Sequence, residues 1–426
     1  MERYKEYKDS GIDWIGEIPS HWKICKVKNY SDIYSGEPCP AEDQSEDFDN
    51  PIYGGGDILG HSIKPNMPAD TLILGRVGGD GKVRHVKTAF WATDNALIID
   101  TKLNKTFLGN VLNCADLLQY NTSTAQPLLT ATKIKNINIP VPPASEQKEI
   151  ADYLDKKCGE IDAAVAKVDK ELELLDELKQ SEISKAVTKG LNPNVSFKPS
   201  GIDWISQIPS HWKDSKIKYH ISRSAAGVWG NEAKNDENDI ICFRIADFEY
   251  DKRCLGFEKL TTRNILPKEL EGRLASFGDL LIEKSGGGDV TPVGRVVMFN
   301  YPEKATYTNF IHGITLKDNI DNRYMLFYFN MLYSNKINLL FFNQTTGLQN
   351  LQVNDYLSQY IKLPPISEQK EIADYLDKKC GEIDSLKEKL KQKKEKFQEL
   401  RKSLISEVVT GKRYVGTSRA MYVNKI

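Results

Sequence analysis

Two short stretches of the chain combine glycines with basic side chains, a pattern suited to binding anions. They are TLILGRVGGDGKVRHV at 71–86 and DLLIEKSGGGDVTPVGRVVMF at 279–299. Glycines let a backbone approach phosphates closely, and arginine can form two hydrogen bonds with guanine. We predict nucleic-acid contacts from Arg76, Lys82, Arg84, His85, Lys284, Arg295 and, in ICFRIADF at 241–248, Arg244. The alternative is that the glycines form hairpin turns and the basic side chains are solvated.

A glutamine recurs shortly before a proline pair in each half of the chain. The stretches NTSTAQPLL and TTGLQNLQ align Gln126 with Gln349 and Leu128 with Leu351. Glutamine can bind adenine through two hydrogen bonds, so both glutamines are candidate DNA contacts. The alternative is that glutamine caps a turn while leucine enters the core. A feature shared by both halves suits contact with the nucleic-acid backbone better than recognition of particular bases.

The sequence carries no convincing active site. It has no G-x-x-x-x-G-K-[ST] phosphate loop, and its six histidines show no metal-ligand spacing. The string EQK at 146–148 and 368–370 resembles part of a nuclease motif, but a charged first helical turn explains it better. We therefore predict a protein that is not an enzyme and has no catalytic residue, metal or cofactor of its own. A stand-alone nuclease is the weaker alternative.

Length and composition limit the remaining possibilities. A chain of 426 residues is too long for one core and predicts two or more domains. The formal net charge of −1 gives no overall basic surplus, so any DNA binding must come from local patches. The seven scattered cysteines predict reduced thiols in a cytoplasmic protein. No apolar run is long enough to span a membrane.

Two internal repeats show how the candidate residues are arranged along the chain. SEQKEIADYLDKKCGEID occurs at 145–162 and again at 367–384. SGIDWIGEIPSHWK at 10–23 returns at 200–213 with 12 of 14 positions identical. The identical tryptophans and histidines are predicted to pack where each helix meets its domain. The chain is predicted to comprise a variable domain (1–144), a long helix (145–190), a second variable domain (191–366), a second long helix (367–412) and a tail (413–426).

Each repeated segment is predicted to be a long helix. Apolar residues at spacings of three and four are typical of a coiled-coil seam. The predicted pairing residues are Ile150, Leu154, Ile161, Val165, Leu172, Ile372, Leu376, Ile383, Leu390 and Leu404, in series that also include Leu178, Leu386 and Leu400. Ser145 and Ser367 are predicted N-caps, and Gly190 and Gly411 predicted stops.

The charges of the two helices favour pairing within the chain. Residues 145–190 hold 8 lysines against 12 acidic residues, whereas residues 367–412 hold 12 basic and 10 acidic residues. Helices of opposite sign attract each other, and an antiparallel pair would give a pseudo-two-fold arrangement. In the variable domains, strand-like runs alternate with glycine turns and predict a twisted sheet. The predicted fold class is mixed α/β, with two such domains separated by long antiparallel coiled-coil helices.

The repeats also resemble a known family. The PP-x-SEQKEIADYLDKKCGEID segments at 142–162 and 364–384, with the SGIDWI…IPSHWK openings, resemble the specificity subunit of type I restriction-modification systems over residues 10–412. The resemblance implies two target-recognition domains that each bind one half of a split sequence in double-stranded DNA. It implies that the helices set the spacing and dock two methyltransferase (modification) subunits.

The resemblance also implies restriction/translocase subunits as partners, while the lack of a long apolar run predicts no membrane partner. S-adenosylmethionine, ATP and Mg are expected only on partner subunits. The alternative that the residues leave open is a coiled-coil scaffold whose two domains bind protein or glycan ligands without DNA. Salt dependence would separate the two possibilities, because DNA binding weakens steeply as salt rises.

Overall fold

The computed structural model describes residues 2–121, 128–288, 290–345, 347–416 and 422–424. The chain forms two compact units. Unit 1 comprises Met1–Asp169 with Leu390–Ile426, and unit 2 comprises Lys170–Lys389. The first long helix is Ala144–Lys189 and the second is Ile366–Val409, so each unit contains one variable domain and a part of both helices.

Unit 1 is built around a four-stranded antiparallel sheet. Its strands lie in the order Ser31–Ser35, Ala96–Thr101, Thr71–Gly75 and Val83–Val86. A second sheet contains Trp91–Ala92, Asn50–Tyr53 and Ile58–Ser62. Three two-stranded ladders pair Glu2–Tyr4 with Tyr422–Asn424, Tyr7–Asp9 with Glu17–Pro19, and Lys23–Lys26 with Asn138–Val141. The shorter helices are Lys105–Cys114 and Ala131–Lys135.

The core of unit 1 forms where the helix Lys105–Cys114 covers the four-stranded sheet. Asn104 caps this helix, since its side chain accepts a hydrogen bond from the backbone N–H of Phe107. Apolar residues at helical spacing then face the sheet. The buried set includes Phe107, Leu108, Val111 and Leu112 from the helix, Leu72, Leu74, Val83 and Leu97 from the sheet, and Ile150 and Leu154 from the first long helix. The long helix is therefore part of the domain core.

Unit 2 repeats this plan with additions. A six-stranded sheet has the order Ile221–Ala226, Ile311–Leu316, Leu280–Glu283, Val296–Met298, Cys254–Leu255 and Phe248–Glu249. A four-stranded sheet contains Asn231–Glu232, Thr262–Asn264, Asp239–Phe243 and Ala305–Tyr307, and a three-stranded one contains Ser285–Gly286, Leu348–Leu351 and Phe342–Thr345. Phe197–Ile202 pairs with Ile205–Pro209, and Lys213–Lys216 pairs with Tyr360–Leu363. The shorter helices are Pro267–Leu270, Asn322–Ser334 and Val353–Leu357.

The helix Asn322–Ser334 holds the position in unit 2 that Lys105–Cys114 holds in unit 1. Asp321 caps it by accepting hydrogen bonds from two backbone N–H groups of its first turn. The helix packs on the sheet with Leu280, Ile282, Val296 and Ile314, and with Ile372 and Leu376 of the second long helix. The same helix-on-sheet arrangement thus recurs, as the sequence repeats predict.

The two long helices run antiparallel in unit 1. Asp162 pairs with Arg401 at 2.9 Å, and Asp169 pairs with Lys394 at 2.6 Å. The partner number falls by seven as the first helix advances by seven, which defines an antiparallel register. The acidic side chains come from the first helix and the basic ones from the second, as the charges of the two segments predict.

Unit 2 shows the same register. Asp176 pairs with Lys387, and Lys179 pairs with Asp384 at 2.6 Å. The second of these pairs reverses the usual polarity, because the basic residue lies on the first helix. The predicted fold class, with mixed α/β domains, an internal repeat and long antiparallel helices, is therefore confirmed.

Several details of the predicted helices are wrong. Leu178, Leu386 and Leu400 are 46%, 49% and 52% exposed instead of lying in the seam. In each case the next residue, Lys179, Lys387 or Arg401, turns toward the other helix to form its ion pair. The long stems of these cations cover apolar surface while their charged ends meet a carboxylate.

The start of each long helix also differs from the prediction. The helices begin at Ala144 and Ile366, so Ser145 and Ser367 lie inside the first turn and are not N-caps. The carbonyl of Pro143 accepts the backbone N–H of Gln147, and the carbonyl of Pro365 accepts that of Gln369. The second proline of each pair is thus the first to accept a helical hydrogen bond.

The repeated motifs meet at a junction in unit 1. Glu146 accepts a hydrogen bond from the indole N–H of Trp22 at 2.9 Å, and its other oxygen lies 2.6 Å from Nε2 of His21. The hydroxyl of Tyr4 also donates to Glu146. The neighbouring Gln147 accepts the backbone N–H of Asn104, which ties the helix start to the cap of the helix over the sheet.

Unit 2 repeats the junction. Glu368 accepts from the indole N–H of Trp212 at 3.1 Å and lies 2.8 Å from Nε2 of His211. Gln369 accepts the backbone N–H of Asp321. Trp22 and Trp212 are buried, so their predicted packing role at the helix–domain junction is confirmed.

Candidate nucleic-acid interface

The first glycine loop joins the strands Thr71–Gly75 and Val83–Val86 of unit 1. Arg76 opens the loop with an exposed side chain, and its backbone is fixed on both sides. Its N–H donates to the carbonyl of Asn95, and its carbonyl accepts from Leu129. Lys82 is also exposed at the other end of the loop. Among the described residues neither cation has a carboxylate partner, so both are available to an anion.

The remaining two predicted side chains of this loop are paired with acids. Arg84 forms two hydrogen bonds with Asp80, at 3.2 and 3.0 Å. His85 lies 2.6 Å from Asp70, and burial lowers the pKa of His85 even though Asp70 opposes that shift. A DNA phosphate would have to displace a carboxylate at either residue.

Close backbone contacts explain why glycine occupies several positions at this loop. A Cβ added to Gly75 would lie 1.5 Å from the carbonyl oxygen of Gly55, and one added to Gly79 would lie 2.2 Å from the same atom. A Cβ on Gly55 would lie 1.9 Å from the carbonyl of Val77. Two backbone segments therefore touch directly, which only glycine permits.

The second glycine loop is anchored by a buried ion pair. Arg295 donates to both carboxylate oxygens of Glu283, at 2.8 and 3.1 Å, and Glu283 is 1% exposed. The guanidinium also lies 3.6 Å from the ring centre of Tyr250. Arg295 is committed to this pair, and removing it to contact DNA would leave a buried charge alone.

Arg244 and Lys284 are half-buried in unit 2. Arg244 donates to the carboxylate of Asp247 and to the carbonyl of Lys259, while part of its side chain stays exposed. The backbone N–H of Lys284 donates to Phe310, and its carbonyl accepts from Leu351. Its ammonium has no carboxylate partner within the described part of the chain.

Gln349 lies inside the domain and supports the glycine loop. It is 2% exposed, and its side-chain oxygen accepts the backbone N–H of Val293 at 3.2 Å. Its strand pairs with Ser285–Gly286, with Gly286 opposite Gln349. This environment positions the loop and leaves the amide away from solvent. Gln126 lies outside the described residues.

Backbone hydrogen bonds show which positions of the two domains are equivalent. Arg76 corresponds to Lys284, because the backbone N–H of each donates to the carbonyl of the residue just before an equivalent strand. These strands are Ala96–Thr101 in unit 1 and Ile311–Leu316 in unit 2. The carbonyls of Arg76 and Lys284 in turn accept the backbone N–H groups of Leu129 and Leu351. The sequence alignment that pairs Leu128 with Leu351 is therefore wrong by one residue.

Three further positions correspond and differ in chemistry. From the strand registers, Gly75 of unit 1 occupies the position of Glu283, and Lys82 that of Arg295. Leu97 likewise corresponds to His312. The two loops thus share a backbone frame and carry different side chains.

Sequence reasoning missed an apolar pocket in unit 2. Its lining residues are Trp229, Arg244, Ile245, Ala246, Thr308, Asn309 and Phe310, around a cavity of about 510 Å³. Only Arg244 was predicted. A usable signal was that Trp229 is one of two tryptophans outside the repeats, where the two halves of the chain differ.

The described residues offer neither a metal site nor a membrane-spanning helix. No three His, Cys, Asp or Glu side chains there cluster closely enough to hold a metal ion. No described helix combines the length and apolar character needed to cross a membrane. The pairing residues of the long helices differ in burial: Ile150, Leu154, Ile372, Leu376, Ile383 and Leu404 are buried, and Ile161, Val165, Leu172 and Leu390 are half-buried.

Two similar α/β domains with diverged glycine loops, each packed against parts of the same two long helices, are typical of a modular recognition protein. A family model described as "Type I restriction modification DNA specificity domain" matches residues 19–173 and 232–395. The chain belongs to this family, which confirms the resemblance seen in the repeats. Each match covers most of one variable domain and part of the helix that follows it.

Curated relatives are described as specificity subunits of type I restriction enzymes. The chain is 26% identical over 299 residues to a putative type I restriction enzyme MjaX specificity subunit of Methanocaldococcus jannaschii, covering 68% of this chain. It is also 26% identical over 298 residues to the MjaVIII specificity subunit of that organism, covering 68% of this chain. The matches span 63% and 65% of the length of these two relatives.

A solved structure has the same fold. It comes from work on complex assembly and conformational transition of the type I R-M system. The TM-score is 0.68 at 14% identity, covering 92% of this chain and 98% of that chain.

Proposed function

We propose that this chain is the DNA-recognition subunit of a type I restriction-modification complex, in which each variable domain binds one half of a split DNA target. The observation that carries the proposal is one backbone frame built twice with different side chains in its glycine loops. A shared frame suits two domains that approach DNA in the same way. Different loops suit half-sites of different sequence.

Three cations at the glycine loops, of which Arg76 and Lys82 are exposed and Lys284 is half-buried, support DNA contact there. Arg76 and Lys284 occupy equivalent positions at the start of the two loops, and neither has a carboxylate partner among the described residues. Lys82 adds a second exposed cation in unit 1. These three side chains suit phosphate or guanine contact, whereas Arg84 and Arg295 hold the loops in shape through acids.

The helix pair sets the spacing between half-sites and docks two modification subunits. Its ion pairs follow a seven-residue register, which keeps the two helices in a fixed alignment and supports a spacing role. Methylation with S-adenosylmethionine and ATP- and Mg-dependent cleavage would then belong to partner subunits, and this chain would be non-catalytic. All seven cysteines are free thiols, which suits the reducing cytoplasm.

The isolated chain is expected to bind DNA weakly. Its net charge of −1 offers little general attraction to phosphates, so the modification subunits would complete the DNA-binding surface. Affinity should fall steeply with salt through counterion release. A flat salt response would favour the alternative of a scaffold that binds protein or glycan ligands.

Co-expression with the cognate modification subunit tests the proposal. Methylated bases are mapped across the host genome, and we expect a split motif with a fixed gap. Exchanging residues 24–140 for another recognition domain should change one half-site only. The chain purified alone should neither methylate nor cleave DNA. A lack of any methylated split motif, or changes in both halves after the exchange, would contradict the proposal.

A helix extension tests the spacing role. One heptad inserted in each helix, between Asp169 and Asp176 and between Lys387 and Lys394, preserves the ion-pair register. Seven residues add about 10 Å, or about 3 base pairs, to the gap. The same insertion in the first helix alone breaks the register and serves as the matched control, for which we expect loss of methylation. An unchanged gap in the doubly extended protein would rule out the spacing role.

A further inference from the structure

The apolar pocket of unit 2 is formed by surfaces that a protein normally buries. Trp229 and Phe310 line it and remain 40% and 42% exposed. The guanidinium of Arg263 lies 4.2 Å from the ring centre of Trp229 and donates to the carbonyl of the same residue. The indole is therefore held in place while part of it stays exposed. Fixed, exposed aromatic rings suit stacking against another flat ring.

The pocket is also lined by a buried polar residue whose hydrogen-bonding capacity is unused. Thr308 lines the cavity and is 3% exposed, yet its hydroxyl has no hydrogen-bond partner among the described residues. A buried hydroxyl without a partner is unfavourable, so such a group calls for an explanation. The exposed side chain of Asn309 lies beside it and offers both a donor and an acceptor. A ligand with an aromatic face and a hydrogen-bonding edge would satisfy both.

The pocket adjoins the glycine loop of unit 2. The backbone N–H groups of Lys284 and Ser285 both donate to the carbonyl of Phe310. A Cβ on Gly286 would lie 3.7 Å from the Cδ1 atom of Ile245 on the pocket wall. The cavity therefore opens beside the residues proposed to contact DNA.

We propose that this pocket holds one nucleobase drawn out of the DNA stack within the half-site bound by the second domain. Trp229 and Phe310 would cover its ring, and Thr308 and Asn309 would bind its edge. This inference rests on the proposed function. A nucleobase fits better than a purely apolar ligand because only a ligand with polar atoms can pair with the Thr308 hydroxyl.

Unit 1 supplies a natural control. Its Thr93 corresponds to Thr308, because the backbone N–H of each donates to the equivalent carbonyl, of Tyr53 and of Phe243. The hydroxyl of Thr93 accepts the backbone N–H of Asn95 at 3.3 Å, so it has a partner within the protein. Replacing either threonine by valine changes shape very little.

The experiment uses the complete complex and its mapped target. A fluorescent base, 2-aminopurine or pyrrolocytosine, is placed in turn at each position of the second half-site except the methylated base. Binding should raise the emission several-fold at one position, where the base leaves the stack. Thr308→Val should reduce DNA affinity about 3- to 10-fold through loss of one hydrogen bond. Phe310→Ala should reduce it about 10-fold or more through lost stacking.

Controls separate ligand binding from folding. Thr93→Val should leave the emission at that position unchanged, and Thr308→Val should not lower the melting temperature, because its hydroxyl has no partner to lose. If the complex methylates a split motif but no position brightens, or if the two threonine variants behave alike, the pocket inference is wrong and the proposed function stands. If no split motif is methylated, both are wrong. The pocket inference would also be wrong if the pocket bound an aromatic side chain of a partner subunit and DNA had no effect on that contact.

Discussion

The glycine loops of the two units reach the same backbone course by different means. In unit 1, glycines let two backbone segments touch, with Gly75 and Gly79 against the carbonyl of Gly55. In unit 2, the position of Gly75 carries Glu283, which is buried and paired with Arg295. One loop is therefore held by close backbone contact and the other by a buried ion pair.

This difference decides where side chains can act on a ligand. Close backbone contact leaves Lys82 exposed in unit 1, whereas Arg295 at the equivalent position is consumed by Glu283. Tyr53 and Phe243 are equivalent, so the position two residues later is Gly55 in unit 1 and Ile245 in unit 2. Ile245 lines an open apolar pocket. We infer that unit 1 contacts DNA mainly through exposed cations, and that unit 2 contacts DNA through one cation and the apolar pocket.

Removing the buried acid should give the largest effect. Glu283→Ala leaves Arg295 buried without a partner, and we expect a loss of about 3–5 kcal/mol in the stability of unit 2. Faster hydrogen exchange of the amides in Leu280–Glu283 and Val296–Met298 measures it. Asp80→Ala, which frees the more exposed Arg84 of unit 1, should cost less than about 1 kcal/mol. Equal losses would contradict the distinction between the two loops.

A methyl group placed between the two touching backbone segments of unit 1 should have the next largest effect on stability. Gly75→Ala puts a Cβ 1.5 Å from a backbone oxygen, so we expect a loss of about 3 kcal/mol. Chemical denaturation and the exchange of amides in Thr71–Gly75 measure it. Gly56→Ala is the matched control, since a Cβ there meets nothing within 4 Å and the φ angle is ordinary. Similar stability of the two variants would rule out the close-contact explanation.

The sequence predicts the repeated frame far better than the candidate site. Identity between distant segments reveals duplication, and three-and-four spacing reveals the helices. It does not show that Lys179 is buried while Leu178 is exposed, because that depends on an acid, Asp384, reaching across from the other helix.

The site residues depend on contacts between positions far apart in the chain. Arg295 and Gln349 resemble ligand-binding residues in sequence, yet their partners Glu283 and Val293 lie inside the domain. The pocket of unit 2 is likewise lined by Trp229 and by Phe310, which lies 81 positions later in the sequence. No local sequence pattern contains such pairings. The repeats therefore predict the shared backbone frame but not which residues contact DNA.

The smallest expected effect concerns a histidine that unit 1 replaces by leucine. Burial, with a further contribution from Lys284, lowers the pKa of His312 to about 4, whereas an unfolded histidine titrates near pH 6.5. The unfolded chain therefore binds a proton first as pH falls, and this residue's contribution to stability is full above pH 6.5 and is lost toward pH 4. Between pH 7 and pH 5 the loss should be about 1–2 kcal/mol.

His312→Leu copies the buried Leu97 of unit 1 and should remove this part of the acid sensitivity. The variant loses the contact between His312 and the hydroxyl of Ser224, but that serine is exposed and can bind water instead. Denaturant unfolding of both proteins at pH 7 and pH 5 measures the difference, and other acid-sensitive groups cancel because they are common to both. If the wild-type chain and the variant lose equal stability, His312 is not the acid-sensitive group. Unit 2 would then differ from unit 1 at this position in shape and not in charge.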